Sequence, residues 1–237
     1  MNRIVLMVLR NFWRAPHAYW KLCRHAKHPD RYPESERYAH IRYIMTRAVK
    51  SGNIKLDVFG RENIPEEDGF LIYANHQGLF DIVAMAAEMP RPWGAILKKE
   101  LYKIPVLKQL VDSTKSFPMD RDDLKQSMVV IKNTTKEVID GRNYLIFPEG
   151  TRSKAGNKML EFHSGSFKCA TKAKCVILPI AFRDSFKVLD QKGSKQVSVE
   201  MHILPQIPYE EYKEMNTVEL AKYVHDKIAA VVEREEE

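Results

Sequence analysis

Short apolar runs alternate with amphipathic stretches along this chain, and that alternation restricts the fold more than any other feature. In IKLDVFG, Ile54, Leu56 and Val58 alternate with Lys55 and Asp57, the pattern of a half-buried strand. GFLIYA, WGAIL, NYLIF and VILPIAF are short and almost wholly apolar, as strands buried on both faces are. QVSVEMHIL adds another strand. Helical stretches separate these runs: Asp81 to Met89, a Pro105-interrupted segment reaching Leu110, and a helix carrying Leu124, Met128, Ile131 and Val138. Asp122-Asp123 would cap that helix and Gly141 would stop it. A final helix starts at Asn216, where Glu219 completes a capping-box pair, and turns Leu220, Val224, Ile228 and Val231 inward. Strands alternating with helices predict an α/β fold, a single mixed, largely parallel sheet flanked by helices.

Residues 1–50 follow a different pattern. Pro29 and Pro33 in HPDRYPES divide them into two predicted helices, the second from about Ser35 to Lys50 with Ile41, Ile44, Met45 and Ala48 on one face. This segment holds 11 Lys/Arg against 3 Asp/Glu, and the rest of the chain holds 38 − 11 = 27 against 31 − 3 = 28. The basic excess therefore lies wholly at the N-terminus. The expected organisation is a basic amphipathic two-helix element over 1–50 and an α/β domain over 51–237. A basic arm suits nucleic acid, an anionic membrane surface or an acidic protein. Val5, Leu9, Phe12 and Trp13 recur near helical spacing among Arg3, Arg10 and Arg14, and Trp13, Tyr19 and Trp20 suit a headgroup zone, which favours the membrane surface. No nucleic-acid module is visible.

The apolar run Ile4 to Leu9 is too short for a signal segment, and nothing approaches about 18 consecutive apolar residues. Peripheral attachment without a transmembrane span is expected, on the cytoplasmic face of a membrane. Cys23, Cys169 and Cys175 form no disulfide framework, which fits a reducing compartment.

Chemistry concentrates at predicted strand ends. In ANHQGLFD a strand ends at Asn75-His76, turns through Gly78 and enters a helix at Asp81. On one helix His76 and Asp81 would point about 140° apart, but a strand-to-helix turn can fold the carboxylate back onto the imidazole. A carboxylate on one ring nitrogen fixes the tautomer and readies the other nitrogen as a general base. Spacing alone is weak evidence, because His25 and Asp30 share it in a basic, proline-bearing linker. His76 differs by its place at a strand end, where open α/β sheets hold their sites. In NYLIFPEGTRSK, Pro148-Glu149-Gly150 turns tightly and presents Thr151, Arg152 and Ser153, a guanidinium beside hydroxyls and backbone N–H groups able to grip a phosphate. Arg121 closes SFPMDRDD, and Lys98-Lys99 follow WGAIL. Three strand ends thus bring cations beside the one bearing His76.

Together these residues resemble the 1-acyl-glycerol-3-phosphate acyltransferases, the glycerolipid acyltransferases with an NHxxxxD block. Asn75 to Asp81 matches that block, and Phe147-Pro148-Glu149-Gly150-Thr151-Arg152-Ser153 reproduces the FPEGTRS run without a gap. Ser116 to Arg121 is similar to the block between them, and Val176 to Ile180 to the fourth, a strand with a proline. Lys115 stands where the second block usually has glycine, and His163 where a basic residue is common. The resemblance implies transfer of a fatty acyl group from a thioester of coenzyme A or acyl carrier protein to a glycerol hydroxyl, with lysophosphatidate the favoured acceptor, glycerol 3-phosphate or another lysophospholipid the alternatives, and no cofactor. It implies His76 as the base, Asp81 as its orienting acid, and Arg121, Arg152 and one of Lys98 or Lys99 on the acceptor's phosphate. Glu149, with Gly150 and Thr151, would shape the acceptor site, unless Glu149 serves the turn as a structural carboxylate.

Rival readings have less behind them. A serine hydrolase would need a G-x-S-x-G elbow, and Ser164-Gly165-Ser166-Phe167 lacks it. Cys23, His25, His28 and Asp30 have ligand chemistry but no metal-site spacing, so no metal is expected. A non-enzymatic basic adaptor leaves the FPEGTRS block unexplained.

Overall fold

The structure, a computed structural model, describes residues 3–191 and 193–235. Three helices precede the first strand, α1 (Arg3–Arg10), α2 (Ala15–Lys27) and α3 (Glu34–Ser51), where the sequence suggested two. The break lies between α1 and α2. Asn11 carbonyl accepts from both Arg14 N and Ala15 N at 2.8 Å, and the Asn11 side chain donates to Met7 carbonyl. Pro16, in the first turn of α2, has no N–H to donate back into a continuous helix. α3 buries Tyr38, Ile41, Met45 and Val49 at helical spacing, and it packs on α4 (Phe80–Glu88).

α1 is oriented opposite to an ordinary surface helix. Arg3 is buried and donates to the carbonyls of Val188, Gly52, Asn53 and Lys195, and Arg10 donates to Ser51 carbonyl and Asn53 Oδ1. Val5, Val8, Leu9, Phe12 and Trp13 face outward, Trp13 being 89% exposed. No described helix is long and apolar enough to cross a membrane.

Seven strands form one sheet: β1 (Ile54–Phe59), β2 (Leu71–Ala74), β3 (Gly94–Lys98), β4 (Phe117–Met119), β5 (Tyr144–Ile146), β6 (Ile177–Arg183) and β7 (Val197–Ile203). Their order is β1-β7-β6-β2-β5-β3-β4, and every neighbouring pair is parallel except β6 with β7. The expected mixed, largely parallel sheet is therefore present. One reversal has a geometric consequence. The C-terminal ends of β2 to β6 and the starting ends of β1 and β7 all lie along one edge, called here the upper edge. The loops that Arg3 holds, before β1, before β7 and after β6, all open there.

Period-two alternation divides the core. Phe70, Ile72, Ala74, Leu178, Ile180 and Phe182 pack toward α3 and α4. Leu71, Tyr73, Tyr144, Ile146 and Ile177 pack on the other face, against α6 (Leu124–Ile139), α7 (Lys168–Ala173) and α10 (Thr217–Val232). Between β3 and β4 runs α5 (Leu107–Thr114); α8 (Phe186–Leu189) follows β6, and α9 (Tyr209–Tyr212) precedes α10. Asp123 caps α6 through Lys125 N and Gln126 N, and Asn216 with Glu219 forms the capping box of α10. The stripe expected on α6 is only half inward. Val138 is buried, whereas Leu124 is 79% and Met128 65% exposed, because the three-residue edge strand β4 gives the first turns of α6 little to cover. Lys115 ends α5 at φ 51, the left-handed conformation that glycine adopts without strain, and its ammonium pairs with Asp30 at 2.6 Å.

Candidate active site

The site is built where β2 ends on the upper edge. Asn75 extends the β2–β6 pairing with its side chain, donating to Phe182 carbonyl at 3.0 Å and accepting from Phe182 N at 2.7 Å. The next residue, His76, is thereby fixed beyond the strand, and its ring stacks on Phe147 at 4.1 Å between centroids. Nδ1 of His76 lies 2.7 Å from Oδ2 of Asp81. Asp81, in the first turn of α4, is completely buried and also accepts from Gln77 N at 2.8 Å and Gly78 N at 3.0 Å, while Ser185 Oγ donates to its other oxygen. A carboxylate so placed accepts the Nδ1 proton, which assigns the tautomer and leaves Nε2 with its lone pair. Nε2 makes no hydrogen bond among the described residues. His25 and Asp30, the same spacing in the linker, do not meet: His25 lies 3.5 Å from Glu36, and Asp30 pairs with Lys115.

The second loop is tied to the first. Glu149, two residues past Phe147, is buried and accepts from His76 N at 2.6 Å and Leu160 N at 3.0 Å. Burial pushes its carboxyl up to about 7 despite those two donors. Its oxygens therefore serve backbone N–H groups. Ser153 N closes the join by donating to His76 carbonyl at 2.8 Å. Gly150 has φ 71, and a Cβ there would sit 3.0 Å from the His163 ring, so the turn needs glycine for both conformation and space. Thr151 is exposed beside it.

Register places the cations. Tyr73 pairs with Ile146, so His76 and Glu149, each three residues on, are level. Lys98 pairs with Met119, two residues before Arg121. At roughly 4.8 Å per strand, β4 stands about 14 Å from β2 across three spacings. The four candidate cations differ in availability. Arg152 is held by Asp190 at 2.7 Å, and Lys99 by Asp120. Among the described residues Lys98 pairs only with Glu100, at 3.7 Å. Arg121 makes no hydrogen bond or ion pair among the described residues.

The sequence profile of the acyltransferase family matches residues 55–183, a span that contains every residue of this site up to β6. The chain belongs to the acyltransferase family. It is 31% identical over 166 residues to a 1-acyl-sn-glycerol-3-phosphate acyltransferase of Helicobacter pylori, covering 66% of this chain and 70% of that protein. A protein of the same name from Borreliella burgdorferi is 27% identical over 200 residues, 81% of this chain and 80% of its own length. Among solved structures, the 1-acyl-sn-glycerophosphate (LPA) acyltransferase PlsC of Thermotoga maritima superposes with a TM-score of 0.72 at 25% identity, covering 84% of this chain and 81% of that one.

Several supports of this acyltransferase site escape sequence reasoning. Phe147 and Asn75 stand inside the two blocks, but nothing in a string of letters shows a ring under His76 or a side chain continuing a ladder. Gln77 accepts from Ser185 N at 3.1 Å and donates to Asn157, which in turn receives Asp184 N. Ser185 and Asn157 carry no signal that could have found them. Among the described residues no group of three or more His, Cys, Asp or Glu is gathered to hold a metal.

Proposed function

We propose that this acyltransferase moves a fatty acyl group from a thioester to the free hydroxyl of 1-acyl-glycerol 3-phosphate, giving phosphatidate. One observation carries the reading: His76 Nδ1 meets a buried carboxylate while Nε2 makes no hydrogen bond among the described residues, on the edge where β3 also ends in Lys98 and β4 leads to Arg121. Nε2 takes the hydroxyl proton as the alcohol oxygen bonds to the thioester carbonyl carbon. The tetrahedral intermediate then expels the thiolate, which receives the proton back from the imidazolium. No acyl-enzyme is required, since the thiol is already a good leaving group. Positioned proton transfer of this kind supplies about 10²–10⁴-fold in rate. The donor is an acyl thioester of coenzyme A or acyl carrier protein.

Arg121, which makes no hydrogen bond or ion pair among the described residues, is the leading phosphate ligand, with Lys98 on the neighbouring strand β3. Arg152 joins them when the phosphate competes with Asp190 for its guanidinium. The names of the relatives supply the acceptor, and the anionic headgroup supplies the reason for the cations. α1 would seat its outward apolar face on the bilayer that delivers the lipid. The burial of Arg3 supports this, because it withdraws a charge that a water-facing helix would expose, while Arg10 bends back to Ser51 and Asn53.

The test incubates purified protein with lysophosphatidate and each thioester, and identifies the lipid by mass spectrometry. Phosphatidate that depends on His76 is expected. Thioester consumption that ignores the acceptor would instead make the protein a hydrolase.

A further inference from the structure

A second apolar surface stands on the upper edge, at the opposite end from α1. Ile104 and Val106 lie in the connection that follows β3, and Leu124, Met128 and Val129 lie on the first turns of α6, which follows β4. All five are about half exposed or more. Leu124 and Met128 are one helical turn apart and so share a face. Polar alternatives are common at exposed helix starts, and five large apolar side chains on two consecutive segments need a cause.

The sheet order gives one. α1 is clamped over the β1, β7 and β6 end by Arg3, whereas this patch belongs to β3 and β4. β2, the middle strand of the seven, carries His76 between them. Leu79, three residues after His76, is a further exposed apolar side chain near the middle of that edge. Six strand spacings of about 4.8 Å put the two ends roughly 29 Å apart. A protein partner would cover one end; a flat lipid surface covers both and the site between. Lys103 and Lys125 flank the patch beside Asp122 and Asp123, all exposed; the lysine stems can lie against lipid while their ammonium groups reach phosphates, and the contact rests on the apolar side chains rather than on net charge.

We propose that this patch is a second bilayer contact, so that the protein rests on lipid at both ends of its strand edge with His76 held over the surface. It rests on the reading that α1 lies on a bilayer, and it adds an orientation that α1 alone would not fix.

The test uses the full chain with Cys23→Ser, since Cys169 and Cys175 are buried. Single substitutions Met128→Cys, Val8→Cys and Phe59→Cys, the last at the opposite edge, carry a polarity-sensitive fluorophore. Vesicles of phosphatidylcholine with a minority of phosphatidylglycerol are added. A blue shift at positions 8 and 128, with none at 59, is expected, and lipids brominated on their acyl chains should quench both shifted labels. Position 128 staying in water while position 8 shifts would overturn the second contact and leave α1 standing. Silence at both would overturn both readings. A shift at 128 that follows protein concentration without vesicles would make the patch a self-association surface and overturn the proposal. Leu124→Asp with Met128→Asp should weaken vesicle partition by about tenfold or more while leaving turnover of a soluble short-chain acceptor unchanged; unchanged partition would count equally against it.

Discussion

Ser185 donates its hydroxyl proton to Oδ1 of Asp81, the carboxylate oxygen that His76 leaves free. The contact joins the loop after β6 to the start of α4, so the acid beneath the imidazole is gripped from both sides. Ser185→Ala leaves that buried oxygen unpaired, at a cost of about 1–3 kcal/mol. Turnover should fall about tenfold, with a displaced pH–rate profile and a circular dichroism spectrum unaltered. His76→Ala should lose about 10²–10⁴-fold under the same assay. A Ser185→Ala profile identical to the parent would show that Asp81 needs no such support.

Arg121 and Arg152 should separate by kinetics. Arg121 has no hydrogen bond or ion pair to release among the described residues, so Arg121→Ala removes a charge-assisted contact of about 1.5–3 kcal/mol and raises the acceptor KM roughly 10- to 100-fold. Arg152→Ala should do less, because Asp190 already occupies part of that guanidinium. Initial rates against acceptor concentration, at saturating thioester, check the order.

Glu149 gives a pH prediction with a definite sign. Its folded carboxyl sits near 7, above the ordinary glutamate value of 4.5, because burial disfavours the charge. The folded state therefore binds more protons than the unfolded one between those values, and stability declines as pH rises through that window. Thermal unfolding followed from pH 4.5 to 7 should show this decline, and Glu149→Gln should flatten it. The substitution also costs stability at all pH values, since an amide cannot accept from both His76 N and Leu160 N.

Arg3 should prove structural. Arg3→Ala abandons four backbone carbonyls and should cost about 2–4 kcal/mol, read as a lowered Tm. Arg3→Lys should rescue little, because a single ammonium cannot reach three loops as a planar fork does.

Most of the sheet was legible because its strands are either strictly alternating, as in Ile54 to Val58, or continuous, as in Ile177 to Phe182. The edge strand Phe117–Met119 was less so, since three residues hold no period. The broken N-terminal helix was missed because Asn11 makes the break with its own carbonyl and side chain, a tertiary-scale detail hidden in an otherwise helical pattern. His76 and Asp81 could be paired on paper by their place at a strand end. The sequence could not say that Arg3 turns inward and Arg10 back toward Asn53, because amphipathic spacing is the same whichever stripe faces the protein. Nor could it show Arg152 already engaged, since Asp190 lies 38 positions away and owes its place to the turn of α8.

With Arg3 folded under it and Arg10 tied back to Ser51 and Asn53 at its rim, α1 turns a largely hydrocarbon face to water. Such a surface is adhesive: stripped of lipid, the polypeptide should clump or cling to plastic, and surfactant should be needed to keep it monodisperse during purification.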